Sequence, residues 1–173
     1  MGNHMTHKVR HRAGNHASEP PLVPLISWLD PASAAGVRDI VRSVAAHHIE
    51  VQAVILFGSV ARHEERPLSD PEPSDVDLLL IIDPTLLDPT ADRLSNEREL
   101  ALTHTIGMAD YRHRSPREIN TFFMNRDLAR WDESFIENIA REGILLWARG
   151  PLPAPIVSVA EREISSLLSA APH

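Results

Sequence analysis

Two apolar runs, each joined to a polar signature, constrain this chain more than any other feature of its sequence. Val51 to Phe57 reads as a strand and ends in Gly58-Ser59. Asp75 to Ile82 reads as a second strand and opens with two aspartates, Asp75 and Asp77. Side chains alternate along a strand, so the two carboxylates project to one side. Like charges held together are costly unless something offsets them, and a divalent cation with oxygen ligands, Mg2+ above all, is the usual offset. Glycine lets a backbone approach closely, and N–H groups opening a helix attract anions. A phosphate cradle beside metal-binding carboxylates points to nucleotide chemistry.

Composition narrows the class. The chain has 173 residues, 43% of them hydrophobic, enough for one domain with a real core. No apolar run approaches the roughly 20 residues needed to span a bilayer. The first residues lack an apolar core segment, so no signal peptide is expected. With no cysteine, disulfides and thiolate metal sites are excluded, and a cytoplasmic location fits. A net charge of −7 argues against a broad nucleic-acid surface, though not against one nucleotide or a tRNA end. Lys8 is the only lysine. A side chain clamping a triphosphate in the core must therefore be arginine, and Arg62 and Arg66 are nearest.

The remaining elements follow in order. Residues 1–20 read as a disordered tail, 21–149 as the folded domain, and 150–173 as a proline-rich linker with a C-terminal helix over 157–168. Asp30-Pro31 starts a helix through Val37, Ile40, Val41 and Val44, with His47 and His48 at its end. Residues 59–64 form a short helix. Apolar residues on both faces of 75–82 indicate a central, covered strand, closed by Asp83-Pro84. A helix is predicted over 91–108, a basic connection over 112–117, and a third strand over 118–124. Leu128, Trp131, Phe135 and Ile139 mark another helix, with Gly143 as its C-cap and a short strand at 144–148. His104, Tyr111 and His113 are candidates for a site rim.

Phe57-Gly58-Ser59 with Asp75-Val76-Asp77-Leu78 resembles the DNA polymerase beta-like nucleotidyltransferase superfamily, above all its small stand-alone members, the minimal nucleotidyltransferases. The resemblance covers about residues 51–148. It implies an α/β (α+β) fold, a small mixed sheet flanked by helices. One departure is a longer spacer between Ser59 and Asp75, where residues 67–73 look like an insertion that lengthens a loop at the site mouth without moving the strands. The resemblance further implies Mg2+-dependent attack on the α-phosphate of ATP, with Asp75 and Asp77 as metal ligands and Gly58, Ser59 and Arg62 around the phosphates. Two metal ions about 4 Å apart can activate the attacking oxygen and steady the leaving one. Such a pair normally needs a third carboxylate. Glu118 opens the third strand and resembles the glutamate that serves aminoglycoside adenylyltransferases as catalytic base. Asn120 shares its strand face, but an amide cannot act as a base.

The family reading implies AMP transfer to a hydroxyl of a partner protein, as the antitoxin of a HEPN/MNT toxin–antitoxin pair. A small-molecule adenylyltransferase of the aminoglycoside type and a catalytically weak binding antitoxin stay open as alternatives. So do a tRNA-end substrate and a homo-oligomeric state.

Overall fold

The computed structural model describes residues 26–127, 131–149 and 152. The expected N-terminal tail, the linker and the helix over 157–168 lie outside these residues, Leu152 excepted.

Helix α1 spans Pro31–His47. Asp30 caps it as its sequence predicts, its Oδ1 accepting from Ser33 N at 2.9 Å. Strand β1 (Val51–Phe57) leads into the one-turn helix α2 (Gly58–Ala61), and β2 spans Val76–Ile82. A 3-10 turn at Pro84–Leu86 follows, capped by Asp83.

Helix α3 covers Asn96–His113, starting and ending five residues later than the predicted 91–108. Its start is delayed because Asp88 folds the chain locally, its Oδ1 accepting from both Thr90 N and Thr90 Oγ1, and because Ser95 is the residue that caps Arg98 N. Its end extends through Arg112 and His113 because both reach Asp39 on α1, at 3.3 and 3.4 Å. Strand β3 is Ile119–Asn125. Helix α4 (Glu133–Glu142) is capped by Asp132 and ends at Gly143, whose N–H donates to Ile139 O; β4 is Ile144–Ala148.

The four strands order β3-β2-β1-β4. β1 runs antiparallel to β2 and to β4, whereas β3 runs parallel to β2 after the α3 crossover. The sheet is therefore mixed and small, as expected. Alternation divides its side chains between two cores. Val54, Leu56, Leu78 and Leu80 pack with Val37 and Ile40 of α1 and Leu102 and Ile106 of α3. Ala53, Ile55, Leu79, Ile81 and Met124 pack with Ile139 of α4. Coverage on both sides explains why β2 reads as a continuous apolar run. Asp77 is on the α4 side, in phase with Leu79 and Ile81.

His48 follows α1 as expected but is not a solvated end. It is buried, 3.1 Å from Glu50 and 3.0 Å from Thr105 of α3. Arg98 donates to both Glu50 oxygens at 2.6 and 2.8 Å, tying α3 to the turn before β1. The Arg98 and His48 contacts hold the Glu50 carboxyl below its ordinary value against burial, which acts the other way; burial lowers His48.

Candidate active site

The two signatures meet because β1 and β2 are antiparallel neighbours. Phe57, the last residue of β1, is the cross-strand partner of Asp77, so Gly58 arrives against the Asp77 side chain. Gly58 has φ +76°, a left-handed conformation that glycine adopts without penalty. A Cβ at this position would lie 2.6 Å from Asp77 Oδ2. The glycine is thus required twice, by its backbone and by the carboxylate beside it. Ser59 follows at the start of α2, where the first helical N–H groups have no intrahelical acceptor.

Asp75 immediately precedes β2 and Asp77 lies within it. Asn120 of β3 spans them. Its Nδ2 lies 3.2 Å from Asp75 Oδ2 and 3.3 Å from Asp77 Oδ1. Burial pushes the Asp77 carboxyl up, the Asn120 hydrogen bond opposes this, and the charge of Asp75 adds to the rise. A half-buried carboxylate with a like charge beside it and only an amide to satisfy it is poised to accept a cation. The donor atoms of the two aspartates are oxygens, and such a set fits a hard divalent ion like Mg2+.

Glu118, expected as the third carboxylate, lies just before β3 and is exposed, and the side chain hydrogen-bonded to both aspartates is Asn120. The parallel register pairs Val76 with Ile119 and Asp77 with Asn120. Glu118 therefore sits one step before the strand, exposed, with its carbonyl accepting from Val76 N at 2.8 Å. Asn120 takes the position facing the pair. Among the described residues no three His, Asp or Glu side chains are grouped so as to hold a metal ion.

Arg62 is at the end of α2 but is engaged with two acids, Glu64 at 2.8 Å and Glu142 of α4 at 3.1 Å. Those contacts raise its pKa. Arg66 is 3.5 Å from Glu72 within the longer loop. The cation that builds the site is one the sequence left in a basic run: Arg117. It is buried, and its NH1 donates to Ser74 O at 2.8 Å and Arg66 O at 2.9 Å; its Nε is 3.4 Å from Asp30. Ser74 Oγ accepts from Arg66 N at 2.8 Å. The insertion is thus pinched shut at a neck directly before Asp75, and the β1–β2 register continues without interruption to Phe57 and Asp77. A run of basic residues carries no local signal that one of them is buried.

Phe57 packs edge-on against Phe122 and Phe135, at 5.4 and 5.7 Å between ring centroids, and Phe122 is 44% exposed. An aromatic surface therefore adjoins the acidic pair. His104 and Tyr111, expected near the rim, are exposed on α3, which packs on the opposite sheet face. A cavity of about 750 Å3 lies at the far end of β2 and β3, lined by Ile82, Phe123, Arg126 and Trp131 among others, and is separate from the acidic pair.

A mixed sheet carrying Gly-Ser at the end of one strand and an acid pair on its antiparallel neighbour defines a nucleotidyltransferase. The sequence model described as "Polymerase beta, Nucleotidyltransferase" matches residues 40–151, and the chain belongs to that family. Among solved structures, a toxin–antitoxin complex with AMP-PNP is 16% identical, covers 77% of this chain and 89% of its own, and has a TM-score of 0.43. A nucleotidyltransferase from Sulfolobus solfataricus, solved at 1.40 Å, is 13% identical, covering 74% of this chain and 84% of its own at a TM-score of 0.43. A complex of a tri-AMPylated Shewanella oneidensis HEPN toxin with its MNT antitoxin is 15% identical, covering 80% and 90% at 0.41. No curated protein matches the sequence. Among the described residues no helix is long and apolar enough to cross a membrane.

Proposed function

We propose that the chain transfers AMP from ATP to a hydroxyl of a partner protein, in the manner of the antitoxin of a HEPN/MNT pair, with Mg2+ held by Asp75 and Asp77. The observation that carries the nucleotidyl-transfer reading is the contact between Gly58 and Asp77. It fixes the phosphate-approach turn and the metal-binding carboxylate as one unit. Mg2+, when bound, offsets phosphate charge and favours departure of pyrophosphate. Gly58 and the backbone of Ser59 admit the phosphates closely, and Asp75 and Asp77 supply the negative charge that orients the ion. Asn120 holds the two carboxylates in place. The acceptor oxygen attacks the α-phosphorus, the bond from it to the bridging oxygen of the β-phosphate breaks to release pyrophosphate, and the acceptor proton passes to a carboxylate of the site or to water. The exposed face of Phe122 offers an apolar wall for base or acceptor.

Asn120 in the position facing the pair favours a second reading, a binding antitoxin with weak catalysis. An amide can ligate a cation but cannot take the acceptor proton. Incubation with ATP, Mg2+ and a HEPN-type partner, followed by mass spectrometry of the partner, separates the two. An AMP adduct on tyrosine, serine or threonine supports the first reading. Neutralisation of an unmodified partner supports the second. Adenylylation of an aminoglycoside and of no protein replaces both.

A further inference from the structure

Helix α3 turns one face to the core through Leu102, Ile106 and Ala109, and the opposite face carries a second ordered pattern. Glu97, Leu100, His104, Gly107 and Tyr111 recur at alternating steps of three and four, the seven-residue spacing of a helix-pairing seam, and Arg114, the left-handed residue that closes the helix at φ +43°, follows three residues on. All six are exposed, Leu100 by 70% and Tyr111 by 65%; Met108 beside them is 48% exposed. Gly107 stands mid-helix, where glycine is a poor helix former. Nothing in the fold requires it, since a Cβ there would meet no atom within 4 Å.

We propose that this seam is the interface of a homodimer in which two copies of α3 pair antiparallel about a two-fold axis between His104 and Gly107. The pattern is self-complementary in that orientation alone. Glu97 of one copy faces Arg114 of the other, Leu100 faces Tyr111, and His104 faces Gly107. Each apolar residue thus meets an apolar residue and each end pairs opposite charges. The absent side chain of Gly107 gives the imidazole room against the facing backbone. A parallel pair would set Glu97 against Glu97 and Arg114 against Arg114. Antiparallel packing also opposes the two helix dipoles. Arg114 already lies over the Tyr111 ring, its Cζ 5.6 Å from the centroid, which keeps the guanidinium at the seam. The helix is about 27 Å long at 1.5 Å per residue. One such pair is smaller than a standard stable interface, so the dimer is concentration-dependent.

The chain has no cysteine, which gives a direct test. Leu100→Cys and Tyr111→Cys are prepared as separate full-length chains, then oxidised alone and mixed. The mixture should form a disulfide dimer on a non-reducing gel, and each variant alone should not. Sedimentation of the unmodified chain should show a monomer–dimer equilibrium. Glu97→Arg or Arg114→Glu should weaken dimerisation at least tenfold, and the two together should restore it. A chain that sediments as a monomer at every concentration overturns the proposal. So does equal cross-linking of single variants, or a dimer indifferent to the charge changes. If the Cys variants do not fold, the charge series decides alone. A monomer whose Leu100→Cys variant cross-links only to a co-expressed protein gives the face to that protein instead.

Discussion

Gly58 lies so close to Asp77 that a single added methyl group would come within 2.6 Å of the carboxylate oxygen. The carboxylate end of Asp77 would have to swing aside. Gly58 is held at a positive φ by the turn into α2, and Asp77 is anchored in the centre of the sheet. Gly58→Ala should therefore cost about 1–2 kcal/mol of stability through the left-handed backbone. The displaced carboxylate should lower transfer by about 100-fold, the usual cost of a 1 Å misplacement. Circular-dichroism melting and a transfer assay on the same sample check both effects.

The acidic pair should be unstable without its cation. The pKa of Asp77 is raised in the folded state, so the metal-free protein gains stability as pH falls through that pKa and loses it as pH rises. Asp77→Asn should raise the metal-free Tm by a few degrees at neutral pH while abolishing Mg2+ stabilisation. Asn120→Asp should do the reverse, lowering the metal-free Tm and giving a larger rise with Mg2+ than the unmodified chain. Metal binding to the pair should also fade on acidification at a pH above the range of an ordinary aspartate. Thermal melts across pH, with and without Mg2+, read all three.

Glu50 is fully buried, and Arg98 supplies the bidentate contact that neutralises it. Arg98→Ala leaves that charge with the His48 hydrogen bond alone and should cost about 3–5 kcal/mol. Arg98→Ala with Glu50→Gln should recover part of the loss, because no bare charge remains. Urea denaturation of the single and double variants measures the difference.

Arg117 fastens the neck of the longer loop. Arg117→Ala should release the Arg66 amide, which now donates to Ser74, to faster hydrogen exchange, and should raise KM for nucleotide by loosening Asp75. Removing residues 68–72 beyond the neck should leave that protection intact. It should change acceptor use more than nucleotide affinity. Exchange mass spectrometry and steady-state kinetics distinguish the neck from the loop tip.

How far the sequence could be read depended on how local each signal was. The strands carry their own evidence, since Val51 to Phe57 and Val76 to Ile82 are apolar apart from Gln52 and Asp77 and are bounded by polar residues. The caps at Asp30 and Gly143 were equally legible, being short-range hydrogen bonds. Helix α3 was misplaced because the Asp88–Thr90 turn and the Ser95 cap compete with a periodic pattern that begins earlier. Glu118 and Asn120 have the same strand parity, so no local rule chooses between them. The hydrogen bonds of Asn120 to Asp75 and Asp77 depend on the parallel register with β2, a contact between residues more than forty positions apart. Arg117 is harder still, because its burial depends on Ser74, Arg66 and Asp30 at once.

Mn2+ titration followed by electron paramagnetic resonance reads occupancy of the acidic pair itself, because bound and free Mn2+ give distinct signals. In the presence of a non-hydrolysable ATP analogue, the chain should bind the ion with nucleotide. Asp75→Ala and Asp77→Ala should each weaken that binding at least tenfold, whereas Glu118→Gln should leave it nearly unchanged. Mn2+ binding that survives loss of both aspartates, or that disappears with Glu118→Gln alone, would contradict a site built on Asp75, Asp77 and Asn120.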